Sequence, residues 1–200
     1  MELILASGSA ARRSLLEAAG IEFRVVPSAV DEDAARAELK RTDPDANGTQ
    51  IARLLARAKA EEVSARFPSS LVIGADQVLE AGRDIFNKPK DMTGAREQLL
   101  ALAGRAHRLV SAVSLAENGQ QIWQDLDVAT LTMRDLPTET IDAYLSIVGD
   151  RVCASVGAYE LEGRGIQLFD EIDGDYFTIL GLPLLLLLPE LRSRSMPGLI

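Results

Sequence analysis

The chain has 200 residues, 47% of them hydrophobic and 26% charged, a composition that supports a packed core in one domain, or two lobes sharing a cleft, and excludes a disordered chain. Its net charge of −9 excludes broad nucleic-acid binding, which needs a basic face. Any anion site must then be a local cluster of Arg and Lys in an acidic protein.

The single cysteine, Cys153, allows no internal disulfide, which fits a reducing compartment. With the one histidine, His107, it builds no ordinary zinc site, and both are assigned to structure. The start, Met1-Glu2-Leu3-Ile4-Leu5, lacks the basic lead and long apolar stretch of a signal peptide. The most apolar run, Ile179 to Leu188, is interrupted by Gly181 and Pro183 and is far shorter than the roughly 20 residues a bilayer span needs. A cytoplasmic protein without membrane or nucleic-acid partners is expected.

Leu3 to Ala6 is predicted as a buried strand. Ser9 is an N-cap candidate for a short helix whose apolar face is Leu15, Leu16 and Ala19, with Gly20 as its stop. Ile21 to Val26 reads as a second strand, which completes an α/β opening. Residues 40–50, with Pro44, Asn47 and Gly48, read as a loop. Ile51, Leu54, Leu55, Ala58 and Val63 are spaced for a helix over 51–67, which Pro68 ends. Leu71 to Ala75 is a buried strand that delivers Asp76 at its exit. A helix is expected over 92–102. Strands over 108–116 and 122–133 are joined by the turn signal Glu117-Asn118-Gly119. Pro137-Thr138 opens a helix that stops at Gly149, and a last helix covers 182–191. Residues 193–200 read as a flexible tail after a single domain over 1–192. The class is α/β or mixed α+β with a long central sheet.

The chemistry begins at Ser7-Gly8-Ser9-Ala10-Ala11-Arg12-Arg13. A helix N-terminus presents unpaired N–H groups and partial positive charge, so it attracts anions. Ser7 and Ser9 add hydroxyl donors. Arg12 and Arg13 lie at the wrong end of the helix dipole, at a cost of roughly 0.3–1 kcal/mol each, which a bound polyanion would relieve. The alternative is that Arg13 pairs with Glu17 and Arg12 is merely solvated. Lys59, on the 51–67 helix, and Lys88, held extended before Pro89, are further phosphate-side candidates or solvated surface lysines. Asp76 could orient a water or hold Mg²⁺, with Glu32 of Asp31-Glu32-Asp33 as a second carboxylate. Their alternatives are a turn-forming Asp and an exposed acidic loop. In the glycine-rich Gly157 to Gly165, Glu162 could accept from the edge of a purine base.

Taken in order, these segments resemble the Maf family of nucleotide pyrophosphatases over Leu3 to about Leu191. The carriers are Leu5-Ala6-Ser7-Gly8-Ser9 with Arg12-Arg13, Val30-Asp31-Glu32 and Ile73-Gly74-Ala75-Asp76-Gln77-Val78. Asn87-Lys88-Pro89, Glu162-Gly163-Arg164-Gly165 and Gly181-Leu182-Pro183-Leu184 follow. The resemblance implies a curved mixed sheet with flanking helices, two lobes and a cleft, similar to inosine triphosphate pyrophosphatases. It implies cleavage between the α and β phosphates of a nucleoside triphosphate with Mg²⁺ or Mn²⁺, and a homodimer. By motif match Asp76 takes the catalytic position as water activator. Ser7, Ser9, Arg12, Arg13, Lys59 and Lys88 fall on the phosphate side, and Glu32 joins Asp76 near the metal. Asp76-Gln77 and Glu162 resemble the 7-methyl-GTP branch rather than the dTTP/UTP branch. A carboxylate at Glu162 would also favour the positive charge of an N7-methylated guanine. Ala10-Ala11 departs from the family's usual Pro followed by Arg or Trp, so Ala11, Gln77 and Glu162 are the expected specificity positions. Tyr159 and Asn87 also depart from the pattern. Two other readings are a nucleotide-sensing regulator of cell division or septum formation, and a nucleotidyltransferase, for whose acceptor site 200 residues leave little room.

Overall fold

A computed structural model of the chain describes residues 1–196. Its strands are β1 (Glu2–Leu5), β2 (Arg24–Val25), β3 (Ser70–Ala81), β4 (Asp84–Phe86), β5 (Ala106–Glu117), β6 (Gln120–Met133) and β7 (Phe169–Asp173). Its helices are α1 (Ala10–Ala18), α2 (Glu32–Thr42), α3 (Gly48–Arg66), α4 (Met92–Leu102), α5 (Thr138–Val148), α6 (Tyr176–Ile179) and α7 (Leu184–Ser193). One sheet runs in the order β2-β1-β3-β5-β6-β7, with β4 paired to β3. It is mixed: β1 lies parallel to β2 and β3, whereas β3–β4 and β6–β7 are antiparallel. This is the expected mixed α/β class.

The chain divides into two compact units. The first comprises Met1–Gln77, Val110–Asp127 and Asp175–Ile200; the second comprises Val78–Leu109 and Val128–Gly174. Three long strands, β3, β5 and β6, contribute residues to both.

In the first unit, β1 is buried on both faces from Leu3 onward, which is why Leu3-Ile4-Leu5 is an unbroken apolar run. Leu3 and Leu5 join Leu16, Leu71, Ile73, Val113, Leu115, Leu182, Leu187 and Leu191 in one cluster. Ile4 and Ala6 point the other way, with Val63 and Val72. Removing such a side chain from water stabilises the fold by about 1.5–3 kcal/mol. Alternation along β3 puts Gly74 and Asp76 on the Val72 face. At Gly74 helix α3 comes so close that a Cβ would collide with the Ala56 carbonyl oxygen and approach Ala60 N to 2.6 Å. That contact brings Lys59, on the same turn of α3, to Asp76.

In the second unit, Leu99, Leu102, Leu131, Ile141, Leu145 and Leu168 are buried. His107 is buried there too, 2.8 Å from the Tyr159 hydroxyl and beside the ring of Phe169, in the structural role expected of it.

The structure corrects several boundaries. Glu32 does not sit in an acidic loop; it opens α2, which Asp31 caps by accepting from Ala34 N at 2.9 Å. The predicted 40–50 loop shrinks accordingly, because α2 runs to Thr42 and α3 starts at Gly48. Helix α2 escapes notice because its half-buried inner face, Glu32, Ala35, Arg36 and Leu39, mixes charge with small and apolar residues and so gives no clear apolar stripe. Asp76 does not leave a strand; β3 continues through it to Ala81. The strand expected over 21–26 keeps only Arg24 and Val25. The last helix is displaced to Leu184–Ser193. The predicted tail is partly structured: Ser193 is helical, Arg194 pairs with Glu190 and Met196 is buried in the first unit's core, while 197–200 lie outside the described residues.

Candidate active site

In the first unit, the loop leaving β1 ends at Ser9, whose hydroxyl caps α1 by accepting from Arg12 N at 3.4 Å. Ser7 is buried, and its Oγ accepts from Ser9 N at 3.3 Å and from Arg12 Nη1 at 3.1 Å. Arg12 turns inward. Its Nε donates to the Gly181 carbonyl at 2.7 Å, and its Nη1 also donates to the Ala75 carbonyl at 2.9 Å. The guanidinium therefore ties three segments distant in sequence, and the alternative of a solvated Arg12 fails. Burial lowers its pKa against the pull of Asp76 and Glu32. Arg13 points to solvent and pairs with Glu17 at 2.7 Å, the i,i+4 geometry left open above. Ala11 is partly exposed on α1.

The most concentrated charge lies between α3, α2 and β3. Lys59 is buried, with Nζ 2.7 Å from Asp76 Oδ1 and 2.8 Å from Glu32 Oε1. Burial raises the Asp76 pKa, only partly offset by Lys59 and Arg12. Its second oxygen, Oδ2, is buried without a hydrogen bond among the described residues. Burial also works against ionisation of Glu32, but Lys59, Arg36 and Arg12 together hold its pKa below the ordinary value. Arg36 faces Asp76 Oδ2, with Nη2 at 3.7 Å. Arg36 was absent from the sequence candidates. Its signal is the i,i+4 spacing from Glu32, legible only once α2 is known to be a helix.

Gln77, the next residue on β3, engages its amide within the fold: Nε2 lies 3.0 Å from Ser111 Oγ and 3.1 and 2.9 Å from the Thr178 and Ile179 carbonyls. It thereby braces the segment leading to Gly181. Asp175 caps α6 by accepting from Thr178 N at 2.9 Å, which holds the same segment.

Lys88 and Glu162 belong to the second unit, and both are exposed. Lys88 precedes the buried Pro89 on the wall of a cavity of about 600 Å³, whose lining includes Phe86, Thr93, Glu97 and Gln98. Glu162 lies in the turn after Tyr159. The geometry thus brings Ser7, Ser9, Arg12, Glu32, Lys59, Asp76 and Gln77 together in the first unit, and directs Arg13 outward.

A family model described as Maf-like protein matches residues 2–194. The chain belongs to the Maf family. Among relatives, a 7-methyl-GTP pyrophosphatase of Rhizobium johnstonii is 53% identical over 194 residues, covering 96% of each chain. One of Brucella abortus with the same name is 50% identical, covering 98% of this chain and 97% of that one. A nucleoside triphosphate pyrophosphatase of Nitrobacter hamburgensis is 49% identical, covering 98% and 96%. Among solved structures, the Staphylococcus aureus Ham1 protein is similar at a TM-score of 0.38 and 18% identity, over 68% of this chain and 73% of that one. That likeness is too loose to add to the fold described above. As a Maf protein the chain aligns with these relatives over almost its whole length, so the segments that build the Asp76 cluster lie inside the shared region.

Two carboxylates converge on Lys59, and among the described residues no group of three or more His, Cys, Asp or Glu converges as a metal cage. The donor set nevertheless fits a hard divalent cation that brings phosphate oxygens and waters of its own, since such a cation needs only one or two protein carboxylates. The unpartnered, buried Asp76 Oδ2 is the observation that favours this fit.

Proposed function

We propose that this chain is a nucleoside triphosphate pyrophosphatase, which hydrolyses the bond between the α and β phosphates to a monophosphate and pyrophosphate. The observation that carries the reading is Asp76: a buried carboxylate with one oxygen on Lys59 and the other without a hydrogen bond. The names of relatives at about half identity over nearly their full length support the same chemistry.

In this mechanism Asp76 Oδ2 accepts a proton from a water, or orients it, as the water oxygen attacks the α phosphorus. The P–O bond to the β phosphate breaks, and pyrophosphate leaves with the electron pair. Burial that raises the Asp76 pKa makes it a stronger base toward that water. Lys59 holds Oδ1 and so fixes the carboxylate plane. Ser7, Ser9 and the start of α1 supply hydroxyl and dipole stabilisation for phosphate oxygens. Asp76 and Glu32 would hold a Mg²⁺ or Mn²⁺ that arrives with the substrate, and its charge would stabilise the leaving pyrophosphate. No covalent intermediate is needed, because positioning and electrostatics carry phosphoryl chemistry.

Within this class, 7-methyl-GTP is the substrate we favour over dTTP and UTP. The motif Asp76-Gln77, the carboxylate of Glu162 and the names of two relatives support it. The test is pyrophosphate release from 7-methyl-GTP, GTP, dTTP and UTP with Mg²⁺ or Mn²⁺. Asp76→Asn should lower turnover by roughly a thousand-fold, in the range of losing a positioned base. No release from any nucleotide, or equal rates for Asp76→Asn, would end the hydrolase reading. A preference for dTTP or UTP would leave the chemistry and reverse the base assignment.

A further inference from the structure

The geometry points to Arg36 as a phosphate-binding residue of this site, in addition to the arginines of the N-terminal motif. The inference rests on the nucleotide reading above and concerns which guanidinium meets the anion.

The three arginines differ in what their donors already hold. Arg12 is buried, and three hydrogen bonds to Ser7, Ala75 and Gly181 lock its Nε and Nη1 into the fold. Arg13 is exposed and paired with Glu17 on the outer side of α1. Arg36 is different on both counts. Its side chain is only 19% exposed, yet none of its five N–H donors makes a hydrogen bond to another described residue. Its nearest charge partner, Asp76 Oδ2, is 3.7 Å away, too far for a hydrogen bond. A largely enclosed guanidinium without an acceptor in its own chain is suited to an external acceptor. Phosphate meets its fork with two parallel bonds.

Charge points the same way. Lys59, Arg12 and Arg36 surround two carboxylates, Asp76 and Glu32. That leaves one excess positive charge in a chain of net −9. Lys59 sits between both carboxylates and Arg12 has its Nε and Nη1 committed, whereas Arg36 has every donor without a hydrogen bond among the described residues. It is carried by α2 and is half-buried beside Asp76, so its donors already face the cluster without a hydrogen bond to hold them there. The role is opposed by one simpler one, in which Arg36 only balances the charge of Asp76.

Arg36→Gln separates the two, and Arg36→Lys serves as the conservative variant. Both keep helix propensity, so both variants should fold, which a cooperative urea transition checks. The probes are inorganic tripolyphosphate, followed by calorimetry, and the best nucleotide of the panel above, followed by pyrophosphate release. A lost charged hydrogen bond corresponds to about ten-fold or more in affinity. Arg36→Gln should weaken tripolyphosphate binding and raise KM by that factor, with kcat within about three-fold, and Arg36→Lys should recover part of the loss. Tripolyphosphate affinity within two-fold of the parent overturns the inference, as does a loss confined to kcat. Should the parent release no pyrophosphate from any nucleotide, the enzyme reading fails by itself. The tripolyphosphate measurement would still decide whether Arg36 binds phosphate.

Discussion

His107 makes the second unit acid-sensitive by a calculable amount. Its ring is buried beside Tyr159 and Phe169. Burial pushes its pKa from 6.5 down to about 4, with the Arg105 charge adding to the effect and the Arg105 backbone only partly opposing it. In the folded state the ring stays neutral over a range where the unfolded chain would bind a proton. The unfolded state thus holds more protons between pH 6.5 and about 4, so stability falls as pH drops through this window. At about 1.4 kcal/mol for each pH unit, the loss reaches about 2 kcal/mol at pH 5 and about 3 kcal/mol at pH 4. The comparison is His107→Gln, which keeps a polar partner for the Tyr159 hydroxyl and does not titrate. Asp76 works in the opposite direction, because burial raises its pKa and its protonated form favours the fold at low pH. It is common to both proteins and cancels. Urea unfolding followed by circular dichroism at pH 7.5, 5 and 4 gives the two stabilities. The gap between parent and variant should change by about 3 kcal/mol from pH 7.5 to pH 4. A gap that stays constant within about 0.5 kcal/mol would refute the argument that His107 is buried neutral.

Gly74→Ala should cost about 1–3 kcal/mol, the range for overpacking, because the added methyl meets the Ala56 carbonyl and Ala60 backbone of α3. The same displacement moves Lys59 from Asp76, so turnover should fall even at temperatures where the variant is folded; unchanged stability and turnover would sink that account. Arg12→Lys should lose about 3 kcal/mol in urea unfolding, since one ammonium cannot serve Ser7 Oγ and the carbonyls of Ala75 and Gly181, and each buried acceptor left unpaired costs about 1–3 kcal/mol. If Arg12→Lys is as stable as the parent and only weakens nucleotide binding, Arg12 is a ligand rather than a brace.

Much of the architecture was legible because its signals are local. The apolar run Leu3 to Ala6, the Ser9 cap and the Asn118-Gly119 turn each depend on a few neighbouring residues. Asn118 and Gly119 both adopt positive φ, 52° and 76°, as a two-residue hairpin turn requires. Helix α4 was bounded correctly because its apolar spacing is strong. Helix α2 was missed for the opposite reason: its inner face sets Ala35 and Leu39 beside the charged Glu32 and Arg36, whose partners lie far along the chain. Residue type made Ser7, Glu32, Lys59 and Asp76 candidates, and their order, which resembles the Maf family, set them above the solvated or turn-forming alternatives. Which way a side chain turns depends on packing that no local pattern contains. Arg12 and Arg13 are adjacent, yet 100° of helix rotation sends one into the core, onto carbonyls from β3 and Gly181, and the other into solvent. The order of residues determined the elements and the pool of reactive groups. Only tertiary packing, above all the absence of a side chain at Gly74, decided which of those groups meet.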